Sequence, residues 1–106
     1  MTSTPAPLDP EIIAARLALL PGWSHADGWL LRNFPTDGWR STMLLVNAIA
    51  FLAEAAAHHP DLGVHWGRVE IRLQSHDAGG VTDRDLALAT RIERLVHDQP
   101  IGWITR

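Results

Sequence analysis

Five side chains carry most of the chemistry open to this sequence. Glu54 stands four residues before His58, His59 and Pro60 follow at once, His76 lies farther along, and Asp85 opens the last apolar-periodic stretch. A spacing of four puts Glu54 and His58 on one helical face, close enough to touch. The histidine pair comes at the end of a strongly helical run, where the helix dipole favours a cation. Pro60 stops that run, because the residue before a proline disfavours the α region. His76 precedes a Gly-Gly turn, where backbone can approach a ligand closely. Imidazole titrates near neutrality, so one histidine can give a proton while another takes one. A carboxylate behind each can fix a tautomer or stabilise the charged form. Brought together at one end of a sheet, these groups would form an acid–base site.

Each residue also has a plainer reading. A Glu-to-His pair at this spacing is commonly a weak surface pair. His58-His59-Pro60 can be no more than a helix cap followed by a proline stop. Asp85 fits the acid of a capping box opened by Thr82. His76 has the strand parity of exposed residues, so its plain reading is exposed and idle. His25, His65 and His97 show no partners, and Trp66 is most simply core or pocket wall. Glu54, His58, His59 and His76 are also legal metal ligands for zinc or iron. However, neighbouring helical histidines diverge, and the HxxxH and HExxH spacings are absent. No metal is therefore expected.

The elements that must position these groups can be read in order. Asp9-Pro10-Glu11 starts a short helix with Ile13, Leu17 and Leu20 on one face, ended by Pro21-Gly22. Asp27-Gly28 is a hairpin turn between strands expected near 23–26 and 29–34. An amphipathic helix is expected from Asp37 to Ala57. Its core stripe is read as Trp39, Met43, Val46, Ala50 and Ala53, widened by Leu45, Ile49 and Leu52. LGVHW is a short strand. RVEIRLQS alternates, with Val69, Ile71 and Leu73 on the buried face, and His76 ends that strand. Thr82 opens a last helix with Leu88, Ile92 and Leu95 inward, limited by Pro100 and followed by Trp103. The fold class is α+β, a four-stranded antiparallel sheet with three helices on one face in the order α-β-β-α-β-β-α. Residues 1–8 are expected as a flexible tail and residues 9–106 as a single domain.

The totals exclude several functions. The chain has 106 residues, enough for one modest core, with 46% apolar and 20% charged residues and a formal charge of −3. There is no basic block, which argues against a nucleic-acid partner. There is no cysteine, so disulfides, thiolate catalysis and Cys-ligated zinc are impossible. No apolar run approaches the roughly 20 residues needed to span a membrane, and no secretory signal opens the chain. The expected location is the cytoplasm.

The pattern Glu54, His58-His59-Pro60, Trp66, His76, Asp85 resembles the signature of the pterin-4a-carbinolamine dehydratase (4a-hydroxytetrahydrobiopterin dehydratase) family. The resemblance covers about residues 23 to 98 and includes LAEAAAHHPDL and GGVTDRDLALATRIERL. It implies dehydration of a 4a-hydroxytetrahydropterin to quinonoid dihydropterin. His59 and His76 would be acid and base in either order, and His58 would assist. Glu54 and Asp85 would orient imidazoles, with Pro60 and Trp66 at the binding site. Pterin is the substrate, so no cofactor is implied. The segment TDGWRSTMLLVNAIAFLAEAAAHHPDL is also similar to a carboxysome-associated branch that assists RuBisCO assembly without need of catalysis, which implies RuBisCO subunits as partners. The family resemblance further implies a homodimer or homotetramer. The uncovered sheet edges, and a polar face carrying Arg68, Glu70 and Arg72, are compatible with that.

Overall fold

The computed structural model describes residues 5–98. Helix α1 (Pro10–Leu17) leads to strands β1 (Trp23–Ala26) and β2 (Trp29–Pro35). Helix α2 (Trp39–Ala56), strands β3 (Asp61–His65) and β4 (Arg68–Leu73), and helix α3 (Asp83–Asp98) follow. The sheet is antiparallel throughout, in the order β1-β2-β4-β3. Asp27 and Gly28 both have positive φ, 54° and 81°, which the tight turn between β1 and β2 requires. The expected fold class is the observed one. Pro100 and Trp103 lie outside the described residues.

The helices cover one face of the sheet. Leu30 and Phe34 of β2 and Val69, Ile71 and Leu73 of β4 are buried against Leu45, Ile49 and Ala53 of α2 and Leu86, Ala89 and Ile92 of α3. The alternation read in β4 therefore holds, although the strand stops at Leu73. The stripe expected on α2 holds only in part. Its buried face runs Thr42, Leu45, Ile49, Ala53, whereas Trp39 is 53% exposed and Ala50 is exposed. This helix is apolar almost all the way round, so periodicity could not choose a face. A threonine marks the true one, because its hydroxyl is satisfied. Thr42 Oγ1 pairs with Thr36 Oγ1 at 2.6 Å and donates to the Trp66 carbonyl at 3.0 Å.

α1 begins as expected at Pro10, but Asp9 makes no side-chain cap bond. Leu20 is buried beyond the helix end. Of the segment expected as a tail, Pro5–Pro7 are exposed, but Leu8 donates its backbone N–H to the Val81 carbonyl at 2.9 Å and is not loose. Where α1 turns into β1, a polar knot lies under α3. Glu93 Oε1 accepts from Trp23 Nε1 at 2.7 Å and from Arg32 Nε at 2.6 Å, and Oε2 pairs with His97 at 2.9 Å. His97, expected to show no partner, thus has one in Glu93, four residues earlier on the same helix. Gly22, at φ 92°, lets the chain pass over Arg32, whose guanidinium would meet an added Cβ at 2.6 Å.

Candidate active site

α2 ends abruptly. Ala57 takes the left-handed conformation, φ 51° and ψ 37°, and His58 N–H reaches back to the Ala53 carbonyl at 3.1 Å. That six-residue closure is the Schellman ending, usually built on glycine. It turns His58 inward and His59 outward. The expected contact between Glu54 and His58 is therefore not made. Glu54 Oε2 instead accepts from His59 Nε2 at 2.8 Å on the surface.

His58 is buried, and its Nε2 lies 2.5 Å from Asp85 Oδ1. Asp85 is fully buried. Its other oxygen accepts from Ser75 Oγ at 2.8 Å and from the Thr82 backbone N–H at 2.9 Å. Ser75 Oγ and Thr82 Oγ1 also pair at 2.7 Å. The bond from Thr82 N–H makes Asp85 the acid of a capping box. Asp85 thus closes the first turn of α3 and holds the His58 ring. A buried carboxylate is tolerated only when its lone pairs are filled, and here they are. An ionised carboxylate can only accept, so the bond at this contact is donated by His58 Nε2.

His76 is not the end of a strand. β4 finishes at Leu73, Ser75 bridges to Gly80, and His76 opens a 3-10 turn, His76–Ala78, closed by Gly79 at φ 71°. The ring is exposed and makes a T-shaped contact with Trp29, centroids 5.7 Å apart. Asp77, next in the turn, binds Arg84 of α3 at 2.5 Å. That guanidinium holds the Asp77 carboxyl below the usual carboxylate range, and Asp77 in turn raises Arg84.

A cleft of about 360 Å³ gathers His58, His59, Pro60, Gln74, His76 and Arg84. Three of the expected histidines and Pro60 therefore share one wall, with Asp85 behind it and Glu54 beside it through His59. Trp66 is elsewhere. It sits in the turn after β3, at the end of that strand remote from Asp61, 69% exposed and packed beside Gly38. It is neither core nor wall of this cleft. Ser75, Gln74 and Arg84 were not legible as site residues, since nothing in their spacing marks them. Thr82 was legible, through the capping box. Among the described residues, no group of three His, Asp or Glu side chains is arranged to hold a metal.

The domain is α+β, with a histidine-lined cleft between the end of its long helix and the start of its last one. Residues 6–95 match the family pattern described as pterin 4 alpha carbinolamine dehydratase. The chain belongs to that family. It is 43% identical over 91 residues to an Aquifex aeolicus protein provisionally named a pterin-4-alpha-carbinolamine dehydratase, covering 86% of this chain and 92% of the relative. A similarly named protein of Thermomicrobium roseum is 42% identical over 90 residues, covering 85% of this chain and 97% of the relative. Among solved structures, the chain superposes on a transcriptional coactivator/pterin dehydratase from Brucella melitensis. The TM-score is 0.80 at 25% identity, with 84% of this chain and 97% of the other covered. It also shares a fold with a pterin dehydratase-like protein identified as a RuBisCO assembly factor in the alpha-carboxysome. There the TM-score is 0.57 at 22% identity, covering 69% of this chain and 84% of the other.

Proposed function

We propose that this protein dehydrates a 4a-hydroxytetrahydropterin to the quinonoid dihydropterin. The observation that carries the reading is the convergence of His58, His59 and His76 on one cleft, with family membership beside it. In the reaction the C4a–O bond breaks and its electron pair leaves with oxygen, which takes a proton and departs as water. The N5–H bond gives its proton to a base, and its electrons form the N5=C4a double bond. One acid and one base are sufficient.

His59 is the better acid. Glu54 engages its Nε2, so Nδ1 is the nitrogen that would face the substrate and donate. His76 is the better base, because no side chain among the described residues hydrogen-bonds its ring nitrogens. His58, tied to Asp85, has Nδ1 to hold the substrate. No cofactor takes part in this scheme.

The test is the dehydration of freshly generated 4a-hydroxytetrahydropterin, followed by absorbance. Wild type should outrun the spontaneous reaction, and His59→Ala and His76→Ala should each lose about 10²–10⁴-fold, the usual worth of a general acid or base. A well-folded wild type that does not accelerate water loss sinks the proposal. The reading then favoured is assembly of RuBisCO, for which the carboxysomal protein of like fold provides the assay.

A further inference from the structure

The three cleft histidines are held in different ways. His58 has Asp85 and His59 has Glu54. His76 has neither a carboxylate nor any other side-chain hydrogen bond among the described residues, and it sits on a three-residue 3-10 turn. What its ring meets is Trp29, with centroids 5.7 Å apart and planes at 75°. Such edge-to-face geometry is the preferred arrangement for aromatic rings and fixes their mutual tilt.

Trp29 is itself secured. It is the first residue of β2, directly after the Asp27-Gly28 turn, and it is half-buried on the sheet face that the helices leave open. Arg72 of β4 lays its guanidinium 4.4 Å from the indole ring centroid, a cation–π contact. Gln74, also after β4, donates from Nε2 to the Gly28 carbonyl at 3.0 Å. The turn that delivers Trp29 is thus fastened to the same stretch that delivers His76. Gln74 lines the cleft as well, so the fastening is continuous with the site.

We infer that Trp29 is the positioning residue of His76. The indole, clamped by Arg72, takes the place of the missing carboxylate and orients the imidazole while leaving both of its nitrogens open to the cleft. Trp29 touches no reacting atom in this scheme. It acts through His76, and the kinetic part of the inference rests on the dehydratase reading given above.

Two measurements on the full chain test it. In the wild type, NMR should show a cross-peak between the Trp29 indole and His76 ring protons, with the His76 protons displaced by the ring current. Trp29→Ala should abolish both, and Arg72→Gln should weaken both. Trp29→Phe should keep the cross-peak. In the dehydration assay, Trp29→Ala should lower kcat by about tenfold or more with little change in KM, since misplacement by about 1 Å can cost about 10²-fold, and Trp29→Phe should recover most of the loss. Circular dichroism and melting of each variant separate these effects from unfolding, and if Trp29→Ala does not fold, Arg72→Gln and Trp29→Phe provide the comparison. A wild type without the cross-peak overturns the inference. So does a folded Trp29→Ala that keeps wild-type kcat, or a loss in KM alone. A wild type with the cross-peak but no turnover overturns the dehydratase reading and still supports the holding of His76, because the spectrum does not depend on turnover.

Discussion

His58 and His59 are neighbours in sequence with opposite surroundings, one buried on a carboxylate and the other with its side chain 62% exposed. Their substitutions should differ accordingly. His59→Ala should cost activity and leave stability nearly unchanged, because a surface pair with Glu54 contributes little. His58→Ala should cost stability as well, since it removes one partner of a buried carboxylate. A lost bond to a buried charged group costs about 1–3 kcal/mol or more, and a melting curve reads it. Asp85→Ala should behave like His58→Ala and also loosen the first turn of α3, visible as faster amide exchange at Thr82. That the histidine pair, His76 and Asp85 come together was legible in the sequence, from their types and spacing. Their division was not, because it depends on Ala57 adopting a conformation that only glycine would have advertised.

At the scale of elements, that left-handed alanine is itself testable. The conformation costs an L-residue about 1–2 kcal/mol. Ala57→Gly should therefore raise the melting temperature by up to the equivalent of about 1 kcal/mol, provided the extra freedom of unfolded glycine does not offset it. The link between the 3-10 turn and α3 is pH-dependent. Arg84 lowers the Asp77 carboxyl, so the folded state gains from the charged form above the unfolded value and loses that gain as pH falls through the folded one. Arg84→Ala should return Asp77 to the ordinary carboxylate range in a carbon-detected titration, and acid should no longer loosen the turn specifically. Strands β1 and β2 were legible from the Asp27-Gly28 turn between them, and β4 and helix α3 from clean alternation and amphipathy. α2 was located but not oriented, since Phe51 on its outer side is as apolar as Ile49 on its inner one. Trp66 was misplaced for a different reason. A residue between two motif positions in sequence need not lie between them in space, and the hairpin from β3 to β4 carries it to the far end.

The whole molecule leaves a good deal of apolar surface open. Phe51 is 74% exposed, with Trp39 at the start of the same helix and Trp66 beside it through Gly38. Large apolar side chains left open along one helix make that helix the first place to test for a contact surface. If the chain self-associates, as its family resemblance implies, Phe51→Glu should shift it to a smaller species in sedimentation while leaving circular dichroism unchanged. An unaltered sedimentation coefficient would remove α2 from any such contact. Among the described residues, no helix is long and apolar enough to cross a membrane.

Pro7 lies against Gly80, and Leu8 is bonded to Val81, a few residues beyond His76. The described start of the chain therefore passes the loop that carries the proposed base. With about 3.3–3.6 Å of reach per residue, a polyhistidine purification tag fused ahead of it is long enough to bring surplus imidazoles to the mouth of the cleft. Activity measured on such a fusion is then open to borrowed proton carriers as well as native ones. Moving the tag to the other end, or cleaving it, is thus a condition for interpreting any histidine substitution.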